Sequence, residues 1–349
     1  MKNEAFQSRL FRRAFSLIEL MVSMGILSIL LLMMTAVLSK IQDSWNFSEA
    51  RIGEFREARV AFDLLSKNLS QATMNTYLDL KVDKNNVPEG YEKTSELQFL
   101  TIPAKQITGT SNFQLTGQAL FFQAPLGFST RFRNLNNLFN GRGYFVGYGD
   151  DQLFRPSFVK SAPKYRFRLI EFRPPAEANE VFEDGMEERL ADQRQKFTKW
   201  FNQSGGIGRF QDYLNPLAEN IITLVVAPRD SLSEVGQKEN YTYSEIAPGY
   251  QFNSNSDKAS FDKYSQQVPP LVRVTMVAID EAAAVRLADR SGATMPALVS
   301  DSLFQNTRDY QKDVLALDQS LNDQKIKHKI FSTLVMLRSA KWSTSSTQN

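Results

Sequence analysis

From Leu20 to Leu38 the chain runs LMVSMGILSILLLMMTAVL, 19 residues without a charge. As a helix this stretch spans roughly 28 Å, about the hydrocarbon thickness of a bilayer. A segment of this kind must lie in a membrane or inside an assembly, and it fixes the side on which everything else resides. Arg12 and Arg13 stand just before it, so the positive-inside bias holds the N-terminus in the cytoplasm and sends the chain after Lys40 across the membrane. Mean hydropathy over all 349 residues is −0.34, so the membrane part is small and the bulk is a soluble, extracytoplasmic body.

Glu19 sits at the edge of this apolar run. A carboxylate inside a span costs on the order of 3 kcal/mol and is usually kept for a specific partner, so a plain anchor would have an apolar residue there. An ordinary secretory signal would place small residues after the apolar region, and Thr35-Ala36-Val37-Leu38-Ser39 supplies that pattern poorly. The formal charge of +3 resides in residues 1–14, from Lys2, Arg9, Arg12 and Arg13 less Glu4, which leaves the remainder neutral. A neutral body offers no clustered cations for nucleic acid, and no nucleic-acid partner is expected.

The run RRAFSLIELMVSMGILSILLLM resembles the leader and N-terminal helix of type IV pilin-like proteins and type II secretion pseudopilins. The resemblance implies that a prepilin peptidase cuts between Ala14 and Phe15. Phe15 then becomes an N-methylated first residue, and Glu19 becomes the fifth-position glutamate that sets register between subunits. The family usually has Gly before the cut; Ala14 is the departure and is the next smallest residue. A new amine at Phe15 of one subunit would neutralise the Glu19 carboxylate of a neighbour in an apolar filament core.

Past the span, Ile41, Trp45, Ser48, Ile52, Phe55, Phe62, Leu65, Leu69 and Ala72 follow steps of three and four residues, with one omission at Arg59. The spacing predicts one helix from Phe15 to about Met74, a transmembrane half and an amphipathic half, with bends allowed at Gly25 and Gly53. The expected divisions are a leader at 1–14, a transmembrane or filament-core helix at 15–40, its amphipathic continuation at 41–78, and a β-rich head at 79–349.

Strand patterns in the head fall at 97–102, 119–123, 143–148, 165–172, 221–226, 271–279 and 330–339, mostly bounded by Pro, Gly, Asn or Asp. In Lys164-Tyr165-Arg166-Phe167-Arg168-Leu169 the period of two predicts a half-buried antiparallel sheet with a solvated basic face. A short helix is expected from Asp280 to Ala288. The segments ENIITLVV at 219–226, PLVRVTMV at 270–277 and FSTLVMLR at 331–338 resemble sheet segments of J-type minor pseudopilins, and the layout and length resemble the Verru_Chthon cassette protein C group. The fold class is therefore α+β and pilin-like: a long N-terminal helix packed on an antiparallel β-sheet head with long inserted loops near 174–212 and 230–267. A helix is expected at 187–201, and Asn253-Ser254-Asn255-Ser256-Asp257 reads as a loop.

Catalytic constellations are scarce. The chain has no Cys and one His, which removes thiolate chemistry and His-rich zinc sites. His328 lies between Lys327 and Lys329, reads as a surface residue, and has no G-x-S-x-G elbow to serve. Gly141, Gly143, Gly147 and Gly149 miss the dinucleotide-binding spacing and suit turns at the ends of a strand. The pairs Asp150-Asp151, Glu183-Asp184 and Asp280-Glu281 could supply oxygens to Ca²⁺, but none has an EF-hand pattern and a solvated surface is the simpler reading. No cofactor is expected. Aromatic residues at 241–250 could offer stacking surfaces, or close over a core.

By that resemblance the chain is a non-enzymatic minor pilin or pseudopilin subunit of the bacterial inner membrane, with its head in the periplasm. Its implied partners are the prepilin peptidase, other pilin or pseudopilin subunits, the inner-membrane assembly platform and the membrane. The alternative is a membrane-tethered binding, adhesion or hydrolytic protein that uses the leader only for export.

Overall fold

The computed structural model describes residues 17–53, 55–82, 85, 87–107, 112–132, 135–156, 158–178, 211–229, 246–255 and 266–340. The chain divides into two compact units that part between Glu54 and Phe55. The first is α1 (Leu17–Gly53), a 37-residue helix roughly 55 Å long.

The second unit opens with α2 (Arg56–Leu69). The single helix expected over 15–74 is thus two helices. Gly53, the poorest helix former short of proline, ends α1, and Phe55 departs from helical geometry at φ −114°, ψ 15° as the cap of α2. After Leu69 the chain leaves the helix, and 77–82 is a strand rather than its continuation. The apolar stripe itself does what the spacing predicts: Ala58, Ala61, Phe62, Leu65 and Leu69 are buried in the main core, and Ala72 follows them.

Among the described residues three antiparallel sheets follow. A hairpin pairs β1 (Tyr77–Val82) with β2 (Pro88–Thr94). A six-stranded sheet runs β7-β6-β5-β4-β3-β9, from β3 (Leu100–Pro103), β4 (Phe113–Phe128), β5 (Asn136–Gly149), β6 (Arg166–Phe172), β7 (Leu214–Glu219) and β9 (Phe252–Asn253). A three-stranded sheet runs β11-β10-β8, from β8 (Ile221–Arg229), β10 (Leu271–Ile279) and β11 (His328–Met336). Among the described residues two helices complete the head: α3 (Glu281–Ser291), which starts after Asp280 as expected, and α4 (Tyr310–Asp323).

The six-stranded sheet is apolar on both faces, so its strands carry more apolar residues than a half-solvated sheet would. Leu120, Phe122, Tyr144, Val146, Phe167 and Leu169 join α2 and the three-stranded sheet in the main core. Ala119, Phe121, Phe145, Ile170 and Phe172 form a second core on the opposite face. Phe62 of α2 meets Phe331 of β11 at 5.7 Å between ring centroids, so α2 covers one face of the smaller sheet. On the other face Tyr310 of α4 hydrogen-bonds Thr275, Oη to Oγ1, at 2.7 Å.

Several expectations change in this frame. Arg166 and Arg168 do not face solvent: Arg168 is 1% exposed, bonded to Glu219 at 3.1 Å and to the carbonyls of Gly149, Asp150 and Lys164, while Arg166 pairs with Glu281 at 3.0 Å. Both faces of β6 are covered, so its basic stripe needed local acceptors, which the neighbouring strand ends provide. Gly141, Gly143 and Gly147 lie inside β5, not at turns, and Gly149 ends the strand. At Gly143 an added Cβ would stand 2.5 Å from Cδ1 of Phe121 and 3.2 Å from Cβ of Phe172, so the position is bare to admit aromatic rings from both neighbouring strands. Within the stretch read as a loop, Asn253 belongs to β9 and Ser254 is buried, its Oγ accepting from the Phe99 N–H at 2.9 Å. The helix expected at 187–201 lies outside the described residues.

Candidate functional site

The site the sequence singles out is the start of α1. Residues 17–41 are long and apolar enough to cross a membrane, with mean hydropathy 2.4, and none of this segment is buried against the chain itself. Leu20 and Leu38 both present exposed side chains along it. Ser23, Ser28 and Thr35 donate their hydroxyl hydrogens to the carbonyls of Leu20, Met24 and Leu31 at 2.8–2.9 Å, so these polar groups are satisfied within the helix and need no outside partner.

Charge within the segment is confined to its ends, at Glu19 and Lys40. Glu19 occupies the first turn of α1, beside the positive end of the helix dipole, which offsets part of the cost of a carboxylate there. Lys40 lies at the other end of the apolar segment, within α1, which runs on to Gly53. Arg12, Arg13, Ala14 and Phe15 lie outside the described residues.

The head's candidate residues are engaged by their neighbours. The His328 ring is nearly enclosed, bonded through Nε2 to Asp318 Oδ1 at 2.8 Å and through Nδ1 to the Ile326 carbonyl oxygen at 3.0 Å. It is therefore not the surface residue expected; it ties β11 to α4. Asp151 is held by the Arg155 guanidinium at 2.7 Å and by the Lys164 N–H at 3.0 Å. Burial pushes its carboxyl up, but those bonds outweigh the penalty and hold it below the usual range. Glu281 is engaged by Arg166 and by Asn220 at 2.6 Å. Asp280 is buried at the start of α3, and Glu183-Asp184 lies outside the described residues. Among the described residues no group of three or more His, Cys, Asp or Glu could hold a metal ion. Tyr250, the described aromatic at the end of the 241–250 stretch, is fully buried against Phe304 and closes over the core.

A buried polar chain crosses the main core, with no counterpart among the sequence expectations. Asn68 in the last turn of α2 donates Nδ2–H to the Tyr144 hydroxyl at 2.8 Å, which donates in turn to Glu171 Oε1 at 2.7 Å. Arg142 Nε lies 3.9 Å from the same carboxylate oxygen, and its Nη2 donates to the Leu126 carbonyl. Burial, and then the Glu171 carboxylate, push the Tyr144 phenol well above its usual range, so it remains a hydrogen-bond donor. The four side chains alternate with core residues on three separate elements, and no spacing in one sequence would join them. Their effect is to fasten α2 to the middle of the six-stranded sheet.

Comparison with known proteins bears on the N-terminus alone. The family described as Prokaryotic N-terminal methylation motif matches residues 9–35, which covers the last six residues of the expected leader and most of the apolar segment. No curated protein and no solved structure matches the chain. The motif and the exposed helix that follows it mark a prepilin-type, peptidase-processed N-terminus that anchors an extracytoplasmic α+β head in a pilin-like layout.

Proposed function

We propose that this chain is a non-enzymatic minor pilin or pseudopilin subunit, cut between Ala14 and Phe15, methylated at Phe15, and drawn from the inner membrane into a short filament. The observation that carries the reading is the coincidence of the methylation motif at 9–35 with a helix whose apolar surface is unburied over Leu17–Ile41. Such a surface is covered by lipid before assembly and by the equivalent helices of neighbours afterwards. Glu19 then pairs with the new amine of an adjacent subunit, and Leu20 to Leu38 supply the helix contacts. The other partners are the remaining subunits and the inner-membrane assembly platform. The bulk of the head, with its insertions, favours a low-copy or tip-proximal position, because such volume obstructs close stacking of many copies. The J-type minor pseudopilin resemblance agrees with that position.

The test is Glu19→Leu in the native host. The account expects the variant to insert and to be processed, but to be missing from material sheared off the cell surface. Normal recovery in the sheared fraction would favour a tethered binding or adhesion protein that uses the leader only as an anchor.

A further inference from the structure

Among the described residues the head protects several of its strand edges, and β11 is the longest edge strand of the three-stranded sheet left without such protection. Edge strand β7 carries Pro216, and the N–H of its Glu219 is taken by Oε1 of Glu57 on α2 at 3.0 Å. Edge strand β9 is two residues long. Edge strand β8 is wholly buried, and Gln118 of β4 accepts its Val226 N–H at 2.7 Å. In the hairpin, Pro88 and a register shift interrupt β2 where it pairs with Val82. Prolines, short strands and covered edges are the ordinary means of preventing strand addition.

Along His328–Met336 β11 has none of them, and just past its end the outward Arg338 N–H is taken by the Ser70 carbonyl at 3.3 Å. It is nine residues long, HKIFSTLVM, without Pro or Gly, and it flanks β10 on one side only. The Leu337 N–H bonds to the Pro270 carbonyl, and the Asp280 N–H bonds to the Lys327 carbonyl, which fixes the phase of the ladder. Lys329, Phe331, Thr333 and Val335 therefore turn their main-chain groups toward β10, whereas Ile330, Ser332, Leu334 and Met336 turn theirs outward. Among the described residues no strand meets those outward groups. Leu334 is 38% exposed and Met336 66%. A row of outward N–H and C=O groups flanked by apolar side chains recognises an extended backbone.

We propose that β11 receives an extended segment of a neighbouring, unlike subunit, which adds as a strand and carries the three-stranded sheet beyond this chain. Its chemistry is set by the edge: apolar residues at alternate positions beside Leu334 and Met336, and an acidic residue across from Lys329. An unlike partner is favoured because two copies joined through the same edge form a closed two-fold pair, which ends assembly instead of extending it. The identity of the partner rests on the assembly reading; the open edge does not.

Because the chain has no cysteine, Met336→Cys or Leu334→Cys places a unique handle on the edge, and Phe158→Cys on an exposed loop serves as control. Full-length protein in native membranes is labelled with a benzophenone maleimide, irradiated, and its adducts are mapped by mass spectrometry. The expected result is one unlike partner chain, captured by Met336→Cys and Leu334→Cys at sites about two residues apart along a single extended segment, as an added strand requires. Combining Met336→Cys with Leu334→Pro removes one outward N–H while sparing the bonds to β10, and should cut the adduct roughly tenfold with an unchanged unfolding midpoint. Leu334→Thr should retain it. If Leu334→Pro lowers the midpoint, Leu334→Asp takes its place, with the same loss expected. An adduct with a second copy of this chain, capture scattered over unrelated residues, an adduct insensitive to Leu334→Pro or Leu334→Asp, or no adduct beyond the Phe158→Cys level would overturn the proposal. The N-terminus of each variant is read in parallel: an unprocessed chain counts against the assembly reading, and a processed chain without the adduct counts only against the edge.

Discussion

Gly143→Ala isolates the packing on which the six-stranded sheet depends. The added methyl carbon would sit 2.5 Å from Cδ1 of Phe121, with Cε1 closer still, and 3.2 Å from Cβ of Phe172. Apolar carbons rest at roughly 3.5–4.0 Å, so the Phe121 ring must retreat by about 1 Å. It has little room to do so: Phe121 is fully buried and stands edge-on to Phe172, 6.5 Å between centroids. Overpacking of this kind costs about 1–3 kcal/mol, against a gain of about 0.4–1 kcal/mol from restricting the unfolded chain. Gly143 has no positive φ, so no backbone strain enters. The expected net loss is about 1–2 kcal/mol, read from the urea midpoint of the full chain in detergent by circular dichroism. In a Phe121→Leu background the methyl has space, and the double-mutant cycle should return a coupling of about 1 kcal/mol or more. A Gly143→Ala protein as stable as the parent, or a cycle with no coupling, would refute the reasoning.

Two further outcomes test the head. Tyr144→Phe leaves the buried Glu171 carboxylate without its 2.7 Å donor and Asn68 without its acceptor, and should cost about 1–3 kcal/mol in the same assay; a neutral result would mean that Arg142 closes onto Glu171 in its place. Asp151 has a depressed folded-state pKa, so its stabilisation is present above the unfolded value of about 4 and is lost as pH falls through the folded value. Asp151→Asn should therefore lower unfolding stability at pH 7 and match the parent near pH 2, and an equal deficit at both would contradict the ion-pair account.

The legible parts of the fold were those written in short-range periodicity. The β-branched, apolar run at 271–279 marks β10 with its observed bounds, and the three- and four-residue spacing of Phe62, Leu65 and Leu69 identifies the buried face of α2. What escaped depended on neighbours distant in sequence. Arg166 and Arg168 read as solvated because the carboxylates of Glu281 and Glu219 and the Gly149 carbonyl that hold them come from other elements. The β5 glycines read as turns because the rings that fill their space, Phe121 and Phe113, belong to the neighbouring strand β4. α4 was missed although Tyr310, Leu317 and Leu321 pack into the core, since its apolar positions are diluted by Asp and Gln. At the N-terminus the reverse holds: a local motif identified the leader, and its match at 9–35 was found by sequence alone.

The most direct test of the account is the N-terminus of the mature protein purified from native membranes, by intact mass and terminal peptide sequencing. A chain beginning at methylated Phe15 is the predicted result, and it would establish that Ala14 is accepted before the cut. A chain that retains Met1, or one that begins after Ala36, would contradict prepilin-type processing and with it the assembly of this protein into a filament.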